Sequence, residues 1–120
     1  TNDQRLCSNK SIGEKNMSIV NVMAVITAKP GKRVDVLAAF KANVPAVHAE
    51  DGCIEYGATI DAVGVGGFQT QFGTDTFVVV EKWESLDHLK AHAASPHMAA
   101  YGAKVKDFLA ERIIHVLSPA

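Results

Sequence analysis

Apolar and β-branched residues are concentrated in four segments that the pattern predicts as strands. Residues 18–28 carry apolar side chains on both faces, which is typical of a strand buried on both sides. Residues 53–60 predict a second strand, residues 76–84 a strong third, and residues 111–117 a fourth that closes the chain. Between the second and third strands, the Gly-rich residues 61–75 predict a long loop or a short hairpin.

A helical period of apolar residues separates the first two predicted strands, over residues 32–50. Pro45 lies inside this run and is expected to kink the helix or to separate its last turn. Asp51 and Gly52 end the helix, with glycine suited to a left-handed position after the last turn.

The third and fourth predicted strands are joined by a second helical region. Ser85 is a plausible N-cap for a helix that runs to about Ala94. Ser95 and Pro96 then begin another helix, with proline in its first turn, that runs to about Ala110.

The order β-α-β-β-α-β predicts an α+β, ferredoxin-like fold, with helices on one face of a four-stranded antiparallel sheet. The first strand is apolar on its other face too, where Ile19, Met23 and Val25 lie. Because a large exposed apolar surface usually marks an interface, we expect a homodimer, with higher assemblies left open, in which two sheets meet face to face in a shared barrel.

Composition narrows the class of protein. A chain of 120 residues is long enough for one domain, which we place at residues 17–120. Residues 1–16 are polar and aperiodic, so they are expected to be an extension, a tag or upstream sequence, outside the fold. The net charge of -1 argues against a nucleic-acid partner, and no apolar segment reaches the roughly 18 residues that span a membrane.

The two cysteines, Cys7 and Cys53, do not have the spacing of a metal site or a redox motif. A structural bridge between them is not expected, and Cys53 is expected to be a small buried apolar residue. These cysteines are therefore interpreted as those of a reduced, cytoplasmic protein.

Residues 81–98 contain most of the candidate chemistry, because they hold the only tryptophan, Trp83, and three of the five histidines. These are His88, His92 and His97. Histidine has an unperturbed pKa of about 6.5, which permits proton transfer near neutral pH. His88 and His92 are four residues apart and share a helix face, so the three histidines are also a candidate metal set. The alternative is that each histidine is exposed or bonds a backbone carbonyl.

Other motifs are missing from the sequence. The glycines of residues 63–67 lack the spacing and the lysine of a phosphate-binding loop, and no flavin, nicotinamide or zinc-protease motif occurs. Histidines, aromatic residues and an apolar layer together favour binding of a flat, apolar molecule that carries oxygen.

Several of these segments resemble the antibiotic biosynthesis monooxygenase family of dimeric α+β barrels, over about residues 17–119. The resemblance lies in the turn at residues 29–31, in residues 50–53 with Tyr56, and above all in residues 81–85, 88–92 and 95–98. Residues 68–71 and Tyr101 are also similar to the bacterial quinol monooxygenases that act on menadiol-type substrates.

The resemblance implies an oxygenase without cofactor or bound metal, in which a quinol or polycyclic phenol itself reduces O2. His92 is the first choice for the base that deprotonates the substrate, and His97 is the second. The candidate walls of the substrate pocket are aromatic residues and one methionine: Tyr56, Phe68, Phe72, Trp83, Met98 and Tyr101.

Two other functions stay open at this stage. One is a non-catalytic dimer on the same scaffold that binds a quinone or acts in a stress response. The other is a metal-dependent enzyme built on His88, His92 and His97. Haem degradation, which a related branch performs, is not expected, because the positions matching that branch's functional residues hold Ala24, His92 and Gly102.

Overall fold

The computed structural model describes residues 18–120, and its regular elements follow the predicted order. They are β1 (Val20–Ala28), α1 (Arg33–His48), β2 (Cys53–Thr59), β3 (Thr76–Trp83), α2 (Leu86–Ala93), α3 (Pro96–Val105), a 3-10 turn (Lys106–Phe108) and β4 (Leu109–Leu117). The strands form one sheet in the order β2-β3-β1-β4, and every neighbouring pair is antiparallel. The α+β ferredoxin-like fold is thereby confirmed.

The register of β1 decides which side chains face the helices. Val22 pairs with Glu81 on β3 and with Val116 on β4, while Ala24 pairs with Val79 and Ile114. Since residues directly opposite each other share a face of the sheet, these side chains all lie on the helix side. The same face therefore carries the core and one carboxylate.

Helix α1 packs on this face through four buried residues spaced by three or four positions: Val36, Phe40, Val44 and Val47. The helix continues through Pro45 to His48, so of the two predicted alternatives the separation of the last turn does not occur. Pro45 falls in the last turn, where its missing N–H removes one hydrogen bond, while its carbonyl still accepts from Ala49 N at 3.2 Å. Buried Val44 and Val47 on either side of Pro45 hold this last turn against the core.

Helices α2 and α3 form the rest of the helical layer. Ser85 Oγ accepts a hydrogen bond from His88 N at 3.2 Å, which confirms the predicted N-cap of α2. α3 begins at Pro96 as predicted but ends at Val105, and the chain turns through Lys106–Phe108 into β4. The fourth strand therefore begins two residues earlier than the pattern predicts, at Leu109.

Gly52 joins α1 to β2 at a position that requires glycine. Its φ is +83°, in the left-handed region that favours glycine. Because α1 ends at His48 with Ala49 as its C-cap, Gly52 lies in the turn before β2 and not at the helix end that the sequence predicts. A Cβ at this position would also overlap the imidazole ring of His88. The Gly52 carbonyl accepts a hydrogen bond from Glu84 N at 2.8 Å, which fixes the turn to the end of β3.

The long loop between β2 and β3 is fastened at its base by one carboxylate. Asp61 accepts hydrogen bonds from the N–H of Phe72 at 2.9 Å and of Gly73 at 2.8 Å. These two bonds lower the pKa of Asp61. Phe68 and Phe72 project from this loop, with 88% and 54% of their surface exposed.

The face of the sheet opposite the helices has large exposed apolar side chains. Met23 on β1 and Ile113 and Leu117 on β4 are each about two-fifths exposed or more. The register places them together, because Met23 pairs with His115 between the two β4 residues. The predicted homodimer stays a prediction, and this face is the surface it would use.

The remaining predictions concern the N-terminal residues and the cysteines. Cys53 is buried as expected, but it is disulfide-bonded rather than free, so the expectation of an unbridged cysteine is wrong. The argument for a cytoplasmic location from free cysteines falls with it. Cys7 and the predicted extension at residues 1–16 lie outside the described residues. Within residues 18–120, no helix is both long enough and apolar enough to span a membrane.

Candidate active site

A cavity of about 500 Å³ lies between the sheet and helices α2 and α3. Apolar side chains from β1, β3 and β4 form its floor, while Leu89, His92 and Met98 lie on the helix side. Its size suits a small organic ligand, and its lining is mostly apolar with a few polar groups. Those polar groups are Tyr56, Glu81, Lys90, His92, Tyr101 and Arg112.

His92 is the buried residue of helix α2, with only 4% of its surface exposed. Its imidazole lies 4.6 Å from the Trp83 ring and 5.4 Å from the Tyr56 ring, measured between centroids. Because both aromatic rings are themselves buried, they fix the plane of the imidazole at the wall of the cavity.

Glu50 connects His92 to His97. Glu50 Oε2 lies 2.9 Å from His92 Nδ1 and 2.6 Å from His97 Nε2. A carboxylate only accepts hydrogen bonds, so each of these imidazole nitrogens carries a proton and donates it to the same oxygen. Glu50 comes from the turn after α1, and the two histidines come from α2 and α3. One acidic side chain therefore ties together three segments of the helical layer.

The second nitrogen of His92, Nε2, belongs to a ring that lines the cavity. In the neutral tautomer that donates from Nδ1 to Glu50, Nε2 carries the lone pair. No hydrogen bond reaches Nε2 in the described part of the chain, and no polar side-chain atom there is both buried and unpartnered. Nε2 thus retains accessible surface, and the ring lines the cavity. An unprotonated nitrogen in this position is a base that a bound ligand can reach.

A second buried acid lies in the cavity floor. Glu81, 8% exposed, accepts a hydrogen bond from Trp83 Nε1 at 2.9 Å. Burial raises the pKa of Glu81, partly offset by the Trp83 hydrogen bond and by the nearby His92, while Glu50 adds to the rise. Trp83 does not itself line the cavity; it lies behind His92 and orients the Glu81 carboxyl.

Two tyrosines complete the polar lining. Burial raises the pKa of the Tyr56 hydroxyl well above its ordinary value, and burial likewise raises the pKa of Tyr101 to about 12. Arg112, on β4, acts in the opposite direction on Tyr101. Both tyrosines therefore stay neutral near pH 7 and offer hydroxyl groups that donate or accept hydrogen bonds.

The structure places half of the eight predicted site residues in the cavity lining, and Trp83, predicted as a wall, is not among them. His92, Tyr56, Met98 and Tyr101 line the cavity. His97 is not in its lining, because it lies against Glu50 and borders a shallower groove between α1 and α3.

The remaining predicted residues lie elsewhere. The exposed Phe68 and Phe72 belong to the loop after β2 and do not line the cavity, which differs from the prediction. His88 is also separate, because its Nδ1 lies 2.6 Å from Ser85 Oγ and its Nε2 lies 3.2 Å from Asp51.

Sequence reasoning missed Glu50 and Glu81. Glu81 precedes Trp83 by two residues in β3, so strand alternation places both on one face and could have identified it. Glu50 carried no such signal, because its contacts with His92 and His97 span 42 and 47 residues of the chain.

The donor set also differs from the metal set proposed from the sequence. Glu50, His92 and His97 each offer one ligand atom, and these atoms lie within 4.8 Å of one another. His88 is not among them, since Ser85 and Asp51 occupy its ring nitrogens. Two histidines and one carboxylate are a donor set that binds zinc and related divalent ions.

Comparison with known proteins identifies the family to which this chain belongs. Residues 19–104 match the family model described as antibiotic biosynthesis monooxygenase, and the chain belongs to that family. Among curated relatives, it is 39% identical over 103 residues to the Escherichia coli (strain K12) protein named "Probable quinol monooxygenase YgiN", covering 84% of this chain and 98% of the relative. It is 29% identical over 91 residues to "Putative monooxygenase YcnE" of Bacillus subtilis (strain 168), covering 76% and 86% respectively.

Solved structures agree on the fold. A conserved protein from Methanosarcina mazei Go1 superimposes with a TM-score of 0.75 at 20% identity, covering 88% of this chain and 97% of that one. Rv0793 from Mycobacterium tuberculosis superimposes with a TM-score of 0.70 at 30% identity, covering 86% and 96%. The family and its named members together support a monooxygenase type of activity.

Proposed function

We propose that this protein is a cofactor-independent monooxygenase that oxidises a quinol or polycyclic phenol with O2. The observation that carries the proposal is the buried His92, held through Nδ1 by Glu50, on the wall of an apolar cavity of about 500 Å³. The name of the Escherichia coli relative points to a quinol as the substrate class.

The chemistry needs no external reductant. A naphthoquinol plus O2 gives a hydroxynaphthoquinone plus water, with one oxygen atom in each product and all four electrons supplied by the substrate. Loss of a hydroxyl proton makes the ring a far better electron donor to O2, so the protein's main task is to remove that proton. A positioned general base typically contributes about 10²–10⁴-fold to such a step.

His92 is the proposed base, and Glu50 is its positioning residue. Glu50 accepts a hydrogen bond from Nδ1–H, which fixes the tautomer that leaves Nε2 free to take the proton of the substrate. When Nε2 becomes protonated, the same carboxylate stabilises the imidazolium at 2.9 Å. His97, which donates to the same carboxylate oxygen, keeps Glu50 in place.

The tyrosines and the floor are proposed to orient the substrate. Tyr56 and Tyr101 are neutral donors beside the base, suited to a quinol oxygen, while Met98 and the strand residues contact the flat ring. Met98 is itself held by Asn43, whose Nδ2 lies 3.4 Å from its sulfur. The mostly apolar wall excludes water from the anion formed on deprotonation, which strengthens its interaction with these donors.

The test is oxygen labelling with ¹⁸O2 and a panel of reduced naphthoquinols, with the rate of autoxidation subtracted. A monooxygenase incorporates one labelled atom into the hydroxylated quinone. Conversion to unhydroxylated quinone with formation of peroxide would identify an oxidase instead. Tight quinone binding without any turnover across the panel would identify a binding protein and refute the proposal.

We also propose that the active form is a homodimer joined through the outer face of the sheet. The exposed Met23, Ile113 and Leu117 support this, because they form one apolar surface across β1 and β4. In analytical ultracentrifugation, Met23→Glu is expected to convert a dimer to a monomer, while Val34→Glu, at an exposed apolar position of α1, leaves the dimer unchanged. A monomeric wild-type protein would contradict this proposal.

A further inference from the structure

We propose that Glu50, His92 and His97 form a zinc-binding site that, when loaded, withdraws His92 from catalysis. The inhibitory effect rests on the proposed function, whereas the binding of the metal does not. The same three side chains form the hydrogen bonds that join Glu50 to the two histidines. The cluster therefore holds either the protons of those hydrogen bonds or a metal ion.

Three donor atoms converge on one point. His92 Nδ1 and His97 Nε2 both approach Glu50 Oε2, at 2.9 Å and 2.6 Å. Zinc forms bonds of about 2.0–2.2 Å to nitrogen and oxygen, which places tetrahedral ligand atoms roughly 3.4 Å apart. The three atoms already lie within 4.8 Å of one another. A shift of the Glu50 carboxylate oxygen by roughly 0.5–0.8 Å away from the two nitrogens therefore makes room for the ion.

The surroundings suit a bound cation that exchanges with solvent. The side chains of His92 and Glu50 are 5% and 14% exposed, so they are fixed by packing, while His97 is 28% exposed. The exposed edge of His97 gives an ion access to the site and leaves a position for water. Ser95 Oγ, 3.3 Å from His97 Nε2, is a polar neighbour that can bond such a water.

Metal binding changes the tautomer of His92. A neutral imidazole coordinates a metal through the nitrogen that lacks a proton, so zinc on Nδ1 forces the single proton onto Nε2. Nε2 then donates a hydrogen bond into the cavity instead of accepting a proton. The base that the proposed reaction requires is lost, although the substrate pocket itself is unchanged. Zinc is therefore expected to inhibit without competing for the quinol.

The binding test uses metal-free protein titrated with Co²⁺, whose visible absorption reports tetrahedral coordination, and then with Zn²⁺ in competition. One equivalent per chain is expected. Glu50→Gln and His97→Gln should each weaken binding by more than the roughly 10- to 100-fold that removal of an orienting partner costs. His88→Gln is the matched control, because His88 lies outside the cluster, and it should bind as the wild type does.

The tautomer is tested by long-range ¹H–¹⁵N correlation spectra of the imidazoles, which do not depend on activity. The proton of His92 is expected on Nδ1 in the metal-free protein and on Nε2 with Zn²⁺. Equal binding by wild type and His97→Gln, or loss of binding in His88→Gln, would overturn the site. Zinc binding that leaves the His92 proton on Nδ1 would overturn the switch. Because both readouts need no substrate, they stand whether or not the oxygenase assignment holds.

Discussion

Glu50 Oε2 accepts a hydrogen bond from His92 Nδ1 at 2.9 Å, across 42 residues of sequence. This one contact fixes which nitrogen of the buried imidazole carries the proton. In the proposed reaction, it is the reason that a histidine in an apolar wall acts as a base and not as a hydrogen-bond donor.

Glu50→Gln is expected to lower kcat by at least about 10-fold, with the roughly 10⁴-fold loss known for misoriented catalytic histidines as the upper limit. The amide has similar size but presents an N–H group as readily as an oxygen, so the Nδ1–H tautomer is no longer enforced. Steady-state oxygen uptake measures the effect. The control is Asp51→Asn, which removes a neighbouring charge that contacts only His88 among the described pairs; equal losses in the two variants would speak against a specific role for Glu50.

Glu81→Gln is expected to stabilise the folded protein at neutral pH. Because the pKa of Glu81 is raised by burial, the unfolded chain loses this proton first as pH rises above the ordinary value of 4.5. Ionisation therefore costs stability progressively above that pH, up to the folded-state pKa. Glutamine keeps an acceptor for Trp83 Nε1 without this cost.

Urea unfolding of both proteins across a pH series measures this difference. The two free energies of unfolding should converge at acidic pH and separate as pH rises, with the variant more stable. A variant that is less stable at every pH would show that the negative charge of Glu81 is a net stabilising feature.

Gly52→Ala is expected to destabilise the fold by more than the roughly 1–3 kcal/mol that a left-handed backbone alone costs a residue with a Cβ. The backbone at position 52 has an unfavourable φ of +83°, and the added carbon also overlaps the His88 ring. Gly64→Ala is the matched control, because its φ is +74° and the space around it is open. Thermal unfolding compares the two, and an equal effect would mean that His88 moves aside freely.

Asp61→Ala is expected to loosen the loop between β2 and β3 without affecting the core. Its carboxylate bonds the N–H groups of Phe72 and Gly73, which lowers its pKa, so this anchoring is present near neutral pH and is lost as pH falls through that lowered value. Hydrogen exchange at these two amides should accelerate in the variant, while exchange in β3 stays unchanged. Unaltered protection of Phe72 and Gly73 would contradict this account of the loop.

The fold was predictable because its signals are local and periodic. Runs of apolar and β-branched residues identified β1 and β3, and the Ser85 cap and the Ser95-Pro96 break located α2 and α3. The last turn of α1 does not separate at Pro45, because packing of Val44 and Val47 outweighs one missing hydrogen bond. The prediction failed for Cys53, since spacing alone does not reveal a disulfide.

The site was predictable only in part. Helical spacing places His88 and His92 on one face of α2, so it does not say which of them is buried. That is decided by tertiary contacts with Trp83, Tyr56 and Glu50. Residue type predicts Phe68 and Phe72 in the cavity, whereas both are exposed on the loop that Asp61 anchors, and neither lines the cavity. Long-range contacts of this kind leave no periodic trace in a sequence.

The most direct test is the rate of oxygen consumption with a reduced naphthoquinol, in metal-free buffer, for wild type, His92→Gln and His88→Gln. With autoxidation subtracted, we predict that His92→Gln loses about 10²–10⁴-fold in rate while remaining folded, and that His88→Gln keeps the wild-type rate. Equal rates for wild type and a folded His92→Gln would contradict the central claim that the imidazole beside Glu50 is the base.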